Sequence, residues 1–225
     1  MTESLIIRRP GLVEYQLAYE AMTVFTGQRE ENSHDEIWLL QHNPVFTLGM
    51  AGRMEHVHQL GNVPLVRTDR GGQVTYHGPG QLIVYLMLDL KRRKQGIKDY
   101  VSTLEQAVIN YLEQKEILAE RIKGAPGVYV KGKKIAALGI RVRRSCAYHG
   151  LALNIDMDVQ PFSNINPCGY ENLEIAQLVD YKPKTKIAEV EDEFLQQLLD
   201  TLGLQKKLVK TKFTLDDLLA DNAAA

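Results

Sequence analysis

Seven consecutive apolar residues, Leu82-Ile83-Val84-Tyr85-Leu86-Met87-Leu88, follow directly on the polar turn Gly78-Pro79-Gly80-Gln81. The run is far shorter than the roughly 20 residues a membrane-spanning helix needs. Its length and unbroken apolar character predict a strand buried on both faces. Such a strand requires neighbours at both edges and a covering layer on each face. The flanking sequence supplies them. Strands are expected at Ile37 to Leu40, Val45 to Leu48, Pro64 to Val66, Gly127 to Val130, Lys134 to Val142 and Tyr148 to Ile155. His42-Asn43-Pro44 separates the first two, and Lys131-Gly132-Lys133 closes a hairpin.

Three helices are expected. Val13, Leu17, Ala21 and Phe25 share one helical face, as do Ile97, Val101, Leu104, Val108 and Leu112. Ile187, Val190, Phe194, Leu198 and Leu202 form a third stripe, which Gly203 can end. Strands dominate the middle and helices flank them, which predicts an α/β (α+β) fold with a mixed sheet. The 225 residues suit one sizeable core, so a single domain over 1–225 is expected, with residues 221–225 frayed.

The net charge of -1 gives no bulk argument for nucleic acid or a membrane surface. The runs Lys91-Arg92-Arg93-Lys94 and Arg141-Val142-Arg143-Arg144 read as solvated faces that could also steer acidic partners. The start, Met1 to Tyr15, lacks the pattern of a signal peptide. With only Cys146 and Cys168, free thiols in a reducing cytoplasm are the simpler expectation, and a 146–168 bridge stays open.

Two segments stand outside the core pattern. In Arg70-Gly71-Gly72-Gln73-Val74-Thr75-Tyr76-His77-Gly78-Pro79-Gly80-Gln81, glycines and hydrogen-bonding side chains suggest a loop whose backbone closely approaches a ligand. It matches neither a phosphate loop nor a dinucleotide fingerprint. In Asn166-Pro167-Cys168-Gly169-Tyr170, a cysteine stands on a stiff turn rather than in a strand. This context leaves an inert thiol and a nucleophile both open. A nucleophile would need a nearby cation, for which His77, His149 and Lys134 are candidates. On position alone, Lys134 reads first as a flanking surface charge. The pair His56 and His58 matches no zinc spacing, and no metal is assigned.

Four segments, Arg70 to Gln81, Lys134-Ile135-Ala136-Ala137-Leu138-Gly139, His149-Gly150-Leu151-Ala152-Leu153-Asn154 and Asn166 to Gly169, resemble in order and spacing the octanoyltransferases of lipoate biosynthesis. The resemblance implies a fold similar to the biotin and lipoate protein ligases. It implies octanoyl-acyl carrier protein as donor and no cofactor. It implies as acceptor the lysine of lipoyl domains, in 2-oxoacid dehydrogenases or the glycine cleavage H protein. Cys168 is then the acyl-thioester nucleophile and Lys134 the residue that promotes its ionisation. Arg70, Gly71, Gly72, Gln73, Val74, Thr75, Tyr76, His77, Ala137, Leu138, Gly139, Gly150, Leu151 and Ala152 line the substrate site, with His149 in support. Leu82, Ala137, Leu138 and Leu151 are expected around the acyl tail. Backbone N–H groups near Gly139 or Gly169 are expected to meet the oxyanion. An ATP-dependent lipoate–protein ligase and a non-enzymatic acyl-carrier-binding module are the competing readings.

Overall fold

The computed structural model describes residues 5–205 and 208–210, so the tail expected to fray lies outside the described residues. In chain order the strands are β1 (Leu5–Val13), β2 (Asp35–His42), β3 (Val45–Leu48), β4 (Leu65–Arg67), β5 (Val74–His77), β6 (Gln81–Met87), β7 (Glu120–Ile122), β8 (Ala125–Val130), β9 (Lys133–Arg143), β10 (Cys146–Asn154) and β11 (Leu208–Lys210). The helices are α1 (Tyr15–Gln28), α2 (Ile97–Gln114) and α3 (Ile187–Leu202). Among the described residues the main sheet runs β11-β1-β2-β6-β10-β9-β8-β7, and a small sheet runs β4-β3-β5. The main sheet is mixed: β1 pairs in parallel with β2 and β11, and β2, β6, β10, β9, β8 and β7 are antiparallel neighbours.

The apolar run is the hinge of this architecture. β6 lies between β2 and β10, and its side chains alternate between two cores. Leu82, Val84, Leu86 and Leu88 join the core beneath α2 and α3. Ile83, Tyr85 and Met87 face the opposite core beneath α1. β2 divides the same way, with Ile37 and Leu39 to one side and Trp38 and Leu40 to the other. A third core, including Phe46, Val74, Tyr76, Phe162 and Ile165, joins the small sheet to the loop that follows β10.

Several sequence expectations shift. Val13 belongs to β1, and α1 buries Tyr15, Ala18, Ala21, Met22 and Thr26, leaving Leu17 and Phe25 half-buried at its flanks. The contact face is turned by about one residue because Tyr15 and Met22 pack toward the sheet. β1 escapes the periodicity reading because Pro10-Gly11 sits at an irregularity in its pairing with β2. β7 escapes it because it is three residues long and wholly exposed. The glycine-rich segment is only partly loop, since Val74–His77 is a strand paired with β3. The basic runs are not merely solvated. Arg92 pairs with buried Asp35 at 2.7 Å, and Arg93 donates to the Leu202 carbonyl at 2.7 Å, at the end of α3. No helix among the described residues is long and apolar enough to cross a membrane.

The α2–α3 layer closes one face through Tyr111 and Phe194, whose rings meet edge to face at 5.6 Å. Phe194 is fully buried. Phe194→Ala is expected to cost about 3–5 kcal/mol, read as a shift in the urea unfolding midpoint with an unchanged slope. A loss below about 1 kcal/mol would mean that α3 unfolds separately from the sheet.

Candidate active site

Cys168 stands in a single tight turn, Pro167–Gly169, with φ 57 and ψ 16, a left-handed conformation for a residue with a Cβ. Gly169 follows at φ 80. Such a conformation costs on the order of 1–3 kcal/mol and needs a surround that enforces it. Both arms of the loop are tied down. On one side the Asn166 N–H donates to the His56 carbonyl at 2.8 Å, His58 Nε2 meets Asn166 Oδ1 at 2.9 Å, and Val57 bridges Ile165. On the other side Ile175 bridges Lys134 at the head of β9. There the Lys134 N–H donates to the Glu174 carbonyl at 2.9 Å, and the Ala176 N–H to the Lys134 carbonyl at 3.0 Å.

Lys134 is 3% exposed, not a surface charge. Its Nζ donates to Cys168 Sγ at 3.0 Å and to the Pro126 carbonyl at 3.0 Å, and lies 5.1 Å from the centre of the Tyr129 ring. Gly127 makes room for this. It has φ 131, and a Cβ there would lie 2.7 Å from the Ala136 carbonyl and 3.1 Å from Lys134 Cε. Burial by itself would lower the Lys134 pKa, but interactions with Cys168 and Tyr129 outweigh it and hold the ammonium above its ordinary value.

Arg70 is the second buried cation. Its guanidinium donates to Thr47 Oγ1 and O and to the carbonyls of Gly71 and Gln73, all at 2.7–3.1 Å. Among the described residues it has no carboxylate partner, and burial pulls its pKa below the ordinary value. The Gly71 N–H donates to the Ile140 carbonyl at 2.9 Å, laying the loop against β9. A Cβ on Gly139 would lie 2.9 Å from the Gly71 carbonyl.

From Arg70 a chain of hydrogen bonds crosses the floor of the site. Thr47 Oγ1 contacts His77 Nε2 at 3.3 Å, and His77 Nδ1 contacts Gln81 Oε1 at 2.7 Å. Gln81 Nε2 donates to Asn154 Oδ1 at 2.9 Å, and Asn154 Nδ2 to the Ala176 carbonyl at 3.0 Å. Arginine only donates and a carbonyl only accepts, so every link has one direction. His77 is therefore neutral with its proton on Nδ1. Burial, helped by His42 and Arg70, drops its pKa to about 3. His42 likewise donates Nδ1–H to the Val13 carbonyl and accepts from Tyr85 Oη at 2.7 Å, and burial drops its pKa to about 4. His149 donates Nε2–H to Asp69 at 2.8 Å, while its Nδ1 is buried without a partner among the described residues. Burial favours the neutral ring there, against the opposing pull of Asp69.

These groups surround a largely apolar cavity. Of the residues expected from the sequence, Arg70, Gly72, Gln73, Val74, Thr75, His77, Ala137, Leu138, Gly139, His149, Gly150, Leu151, Ala152 and Cys168 line it. Gly71 lines an adjoining groove instead, and Tyr76 turns away to pack on Phe46 and Phe162. Leu82 is outside because strand alternation points it beneath α2 and α3; Ile83 and Tyr85 take the wall. The Gly169 N–H is already taken by the Asn166 carbonyl at 2.9 Å, which removes it as an oxyanion donor. Tyr15, Ile83 and Tyr85 were not singled out from the sequence, although period-two alternation in β6 marks the last two. Asp69 and Thr47, which orient His149 and Arg70, carry no local signal. Cys146 lies buried at the start of β10, where burial raises its thiol pKa, and both cysteines are free. Among the described residues no cluster of three or more His, Cys, Asp or Glu side chains is placed to hold a metal ion.

A model of the lipoyl protein ligase A/B catalytic domain matches residues 13–199. The chain is 47% identical over 206 residues to an octanoyltransferase of Vibrio vulnificus, covering 92% of this chain and 94% of that protein. It is 54% identical over 199 residues to an octanoyltransferase of Azoarcus sp., covering 88% of each. A structure of lipoate-protein ligase A bound with ATP superposes with a TM-score of 0.75 at 15% identity, over 98% of this chain and 94% of that one. The biotin protein ligase of Aquifex aeolicus superposes with a TM-score of 0.55 at 15% identity, over 89% and 70%. These two share the fold. The family model and the relatives at about half identity go further, and the chain belongs to the lipoyl protein ligase A/B catalytic domain family, among its octanoyltransferases.

Proposed function

We propose that this chain takes an octanoyl group from octanoyl-acyl carrier protein as a thioester on Cys168 and passes it to the lysine of lipoyl domains, in 2-oxoacid dehydrogenases and the glycine cleavage H protein. The reaction would run in the cytoplasm, where both thiols stay reduced. One observation carries the reading: Lys134 Nζ lies 3.0 Å from Cys168 Sγ, where the thiol lines a largely apolar cavity. The ammonium stabilises a thiolate by direct ion pairing. The acyl chain enters the cavity, where each buried CH₂ contributes about 0.8 kcal/mol.

The proton inventory closes on Lys134. The Cys168 thiolate attacks the donor thioester carbon; the bond to Sγ forms, the bond to the donor sulfur breaks, and Lys134 gives its proton to the departing thiolate. Acylation removes the anion that held the Lys134 ammonium above its ordinary value, while the burial that opposes the charge remains. Neutral Lys134 then takes a proton from the acceptor amine as that amine attacks the thioester. Cys168 leaves as thiolate, and the ion pair is restored. Arg70 and Lys134 together supply positive field for the tetrahedral oxyanion. No nucleotide is consumed, because the acyl group arrives activated and amide formation is downhill. The lipoate–protein ligase reading is weaker, since the ligase structure compared above shares 15% identity, against 47% and 54% for the two octanoyltransferases.

Three outcomes test this. Mixing the protein with octanoyl-acyl carrier protein alone, without ATP, should add one octanoyl increment to its intact mass, and Cys168→Ala should remove it. No increment on the unmodified chain would eliminate the covalent route. Lys134→Ala should slow octanoyl transfer by about 10²–10⁴-fold and slow iodoacetamide labelling of Cys168. Lys134→Arg keeps a cation that does not deprotonate, so iodoacetamide labelling of Cys168, the step that needs only the cation, should persist while octanoyl transfer, the step that also needs the proton, stalls. Equal loss of both steps would remove the base role.

The neutral histidines predict a pH effect on stability. His77 and His42 titrate near 3 and 4 in the folded chain, against 6.5 when unfolded. Between about pH 6.5 and 4 the unfolded chain binds more protons, so stability rises with pH across that window and levels above it. Urea unfolding at pH 5 and 7.5 should show the difference, and His77→Gln should reduce it. A midpoint that does not change with pH would contradict neutral, buried rings.

A further inference from the structure

Cys168 lines two spaces. One is the acyl cavity. The other is a groove that shares Leu138 and Gly139 with it and is bordered by Val101, Gly124, Pro126 and Tyr170. Val101, Gly124 and Pro126 also border a second hollow, which continues past Ile97 and Ile122 to Lys98 and Lys123. The two hollows therefore form one path leading away from the thiol between the first turns of α2 and the β7–β8 hairpin.

The composition of this path is not explained by folding. α2 buries its apolar stripe from Tyr100 onward, yet Ile97 is 54% exposed, Ile122 is 40% exposed and Tyr170 is 43% exposed. The Tyr170 hydroxyl donates to the Gly124 carbonyl at 3.0 Å, which fixes the ring over the groove edge. At the far end, Lys98 and Lys123 have no hydrogen-bonded or ion-paired partner among the described residues, whereas Arg121 beside them is held by Glu105 and Gln106. A mostly apolar path thus runs from Cys168, past the Arg121–Glu105 ion pair that also lines it, to two ammonium groups with no partner among the described residues.

We propose that this path seats the phosphopantetheine arm of the acyl donor, with its phosphate at Lys98 and Lys123. The inference rests on the acyl-transfer reading and adds the donor's route to it. A thioester carbon holds its acyl chain and its sulfur substituent on different sides. With the acyl chain in the apolar cavity, the donor sulfur is directed to the other space that Cys168 lines. The arm is long and neutral and ends in an anion, and the path is long and apolar and ends in cations. The acceptor fits it poorly. A lysine side chain is a short cation, and Lys98 and Lys123 repel it.

Cys168 acylation should be timed by intact mass with three donors: octanoyl-pantetheine, octanoyl-phosphopantetheine and octanoyl-acyl carrier protein. The Lys98→Glu/Lys123→Glu double variant should lose about tenfold in rate per mole with the two phosphate-bearing donors, as expected for reversing charges at a phosphate contact, and change less than about twofold with octanoyl-pantetheine. Val101→Trp, which fills the path near the thiol, should slow all three. Equal rates for the double variant and the parent overturn the proposal. So does a loss confined to the protein-borne donor, because the lysines would then meet the carrier's surface rather than the arm. So does an equal loss with all three donors. Absence of any acyl adduct on the unmodified chain would instead refute the acyl-transfer reading itself.

Discussion

Taking an ammonium group out of water costs several kcal/mol unless its surroundings return the lost interactions. Lys134 is 3% exposed, and much of the local architecture answers that cost. The Pro126 carbonyl, the Tyr129 ring and Cys168 Sγ are its partners. Pro126 and Tyr129 lie on β8, where the pairing with β9 is irregular at Val128/Tyr129 and where Gly127 leaves room for the lysine stem. Cys168 is brought to the ammonium by a left-handed turn that would be unfavourable on its own. The cysteine loop then pairs back onto the Lys134 backbone through Ile175. The strained turn, the irregular strand and the buried lysine therefore stabilise one another.

Arg70 imposes the same kind of order on the opposite side. A guanidinium cannot accept a hydrogen bond, so its contact with Thr47 sets the direction of each later link through His77, Gln81 and Asn154 to the Ala176 carbonyl. The Ala176 N–H in turn donates to the Lys134 carbonyl. One polarised network thus runs from the Arg70 guanidinium to the Lys134 backbone, beside an apolar cavity. This explains how three histidines can line or abut the cavity without charge: each ring is fixed in one tautomer and kept neutral by burial.

The features set by repeating patterns were legible in the sequence. The apolar run at Leu82 to Leu88, the stripes of α2 and α3, and the β8–β9 hairpin are all local periodicities, and all appear within a residue or two of their expected ends. The resemblance located four segments, and the fold brings residues of all four to one cavity. What was not legible depends on direction and depth. Leu82 and Ile83 are both apolar, and only the sheet decides which faces the cavity. Lys134 follows an exposed turn and reads as a surface charge until β8 and the 174–176 segment cover it. Asp69 and Thr47 act by orienting other side chains, a role that leaves no mark on their own stretch of sequence.

The placement of Lys134 also bears on why a cysteine chemistry suits this scaffold. An aspartate beside the lysine would keep it charged throughout the cycle, and the base needed for amide formation would be lost. A thiolate is a conditional partner. On the proposed route it is an anion before acylation and a neutral thioester after, so the charge on Lys134 would follow the state of Cys168. On that route the proton that Lys134 gives to the departing donor is replaced by one from the acceptor amine, so the pair ends the cycle as it began. The surrounding structure has only to stay dry and rigid, which is what two anchored loop arms and a one-way hydrogen-bond network provide.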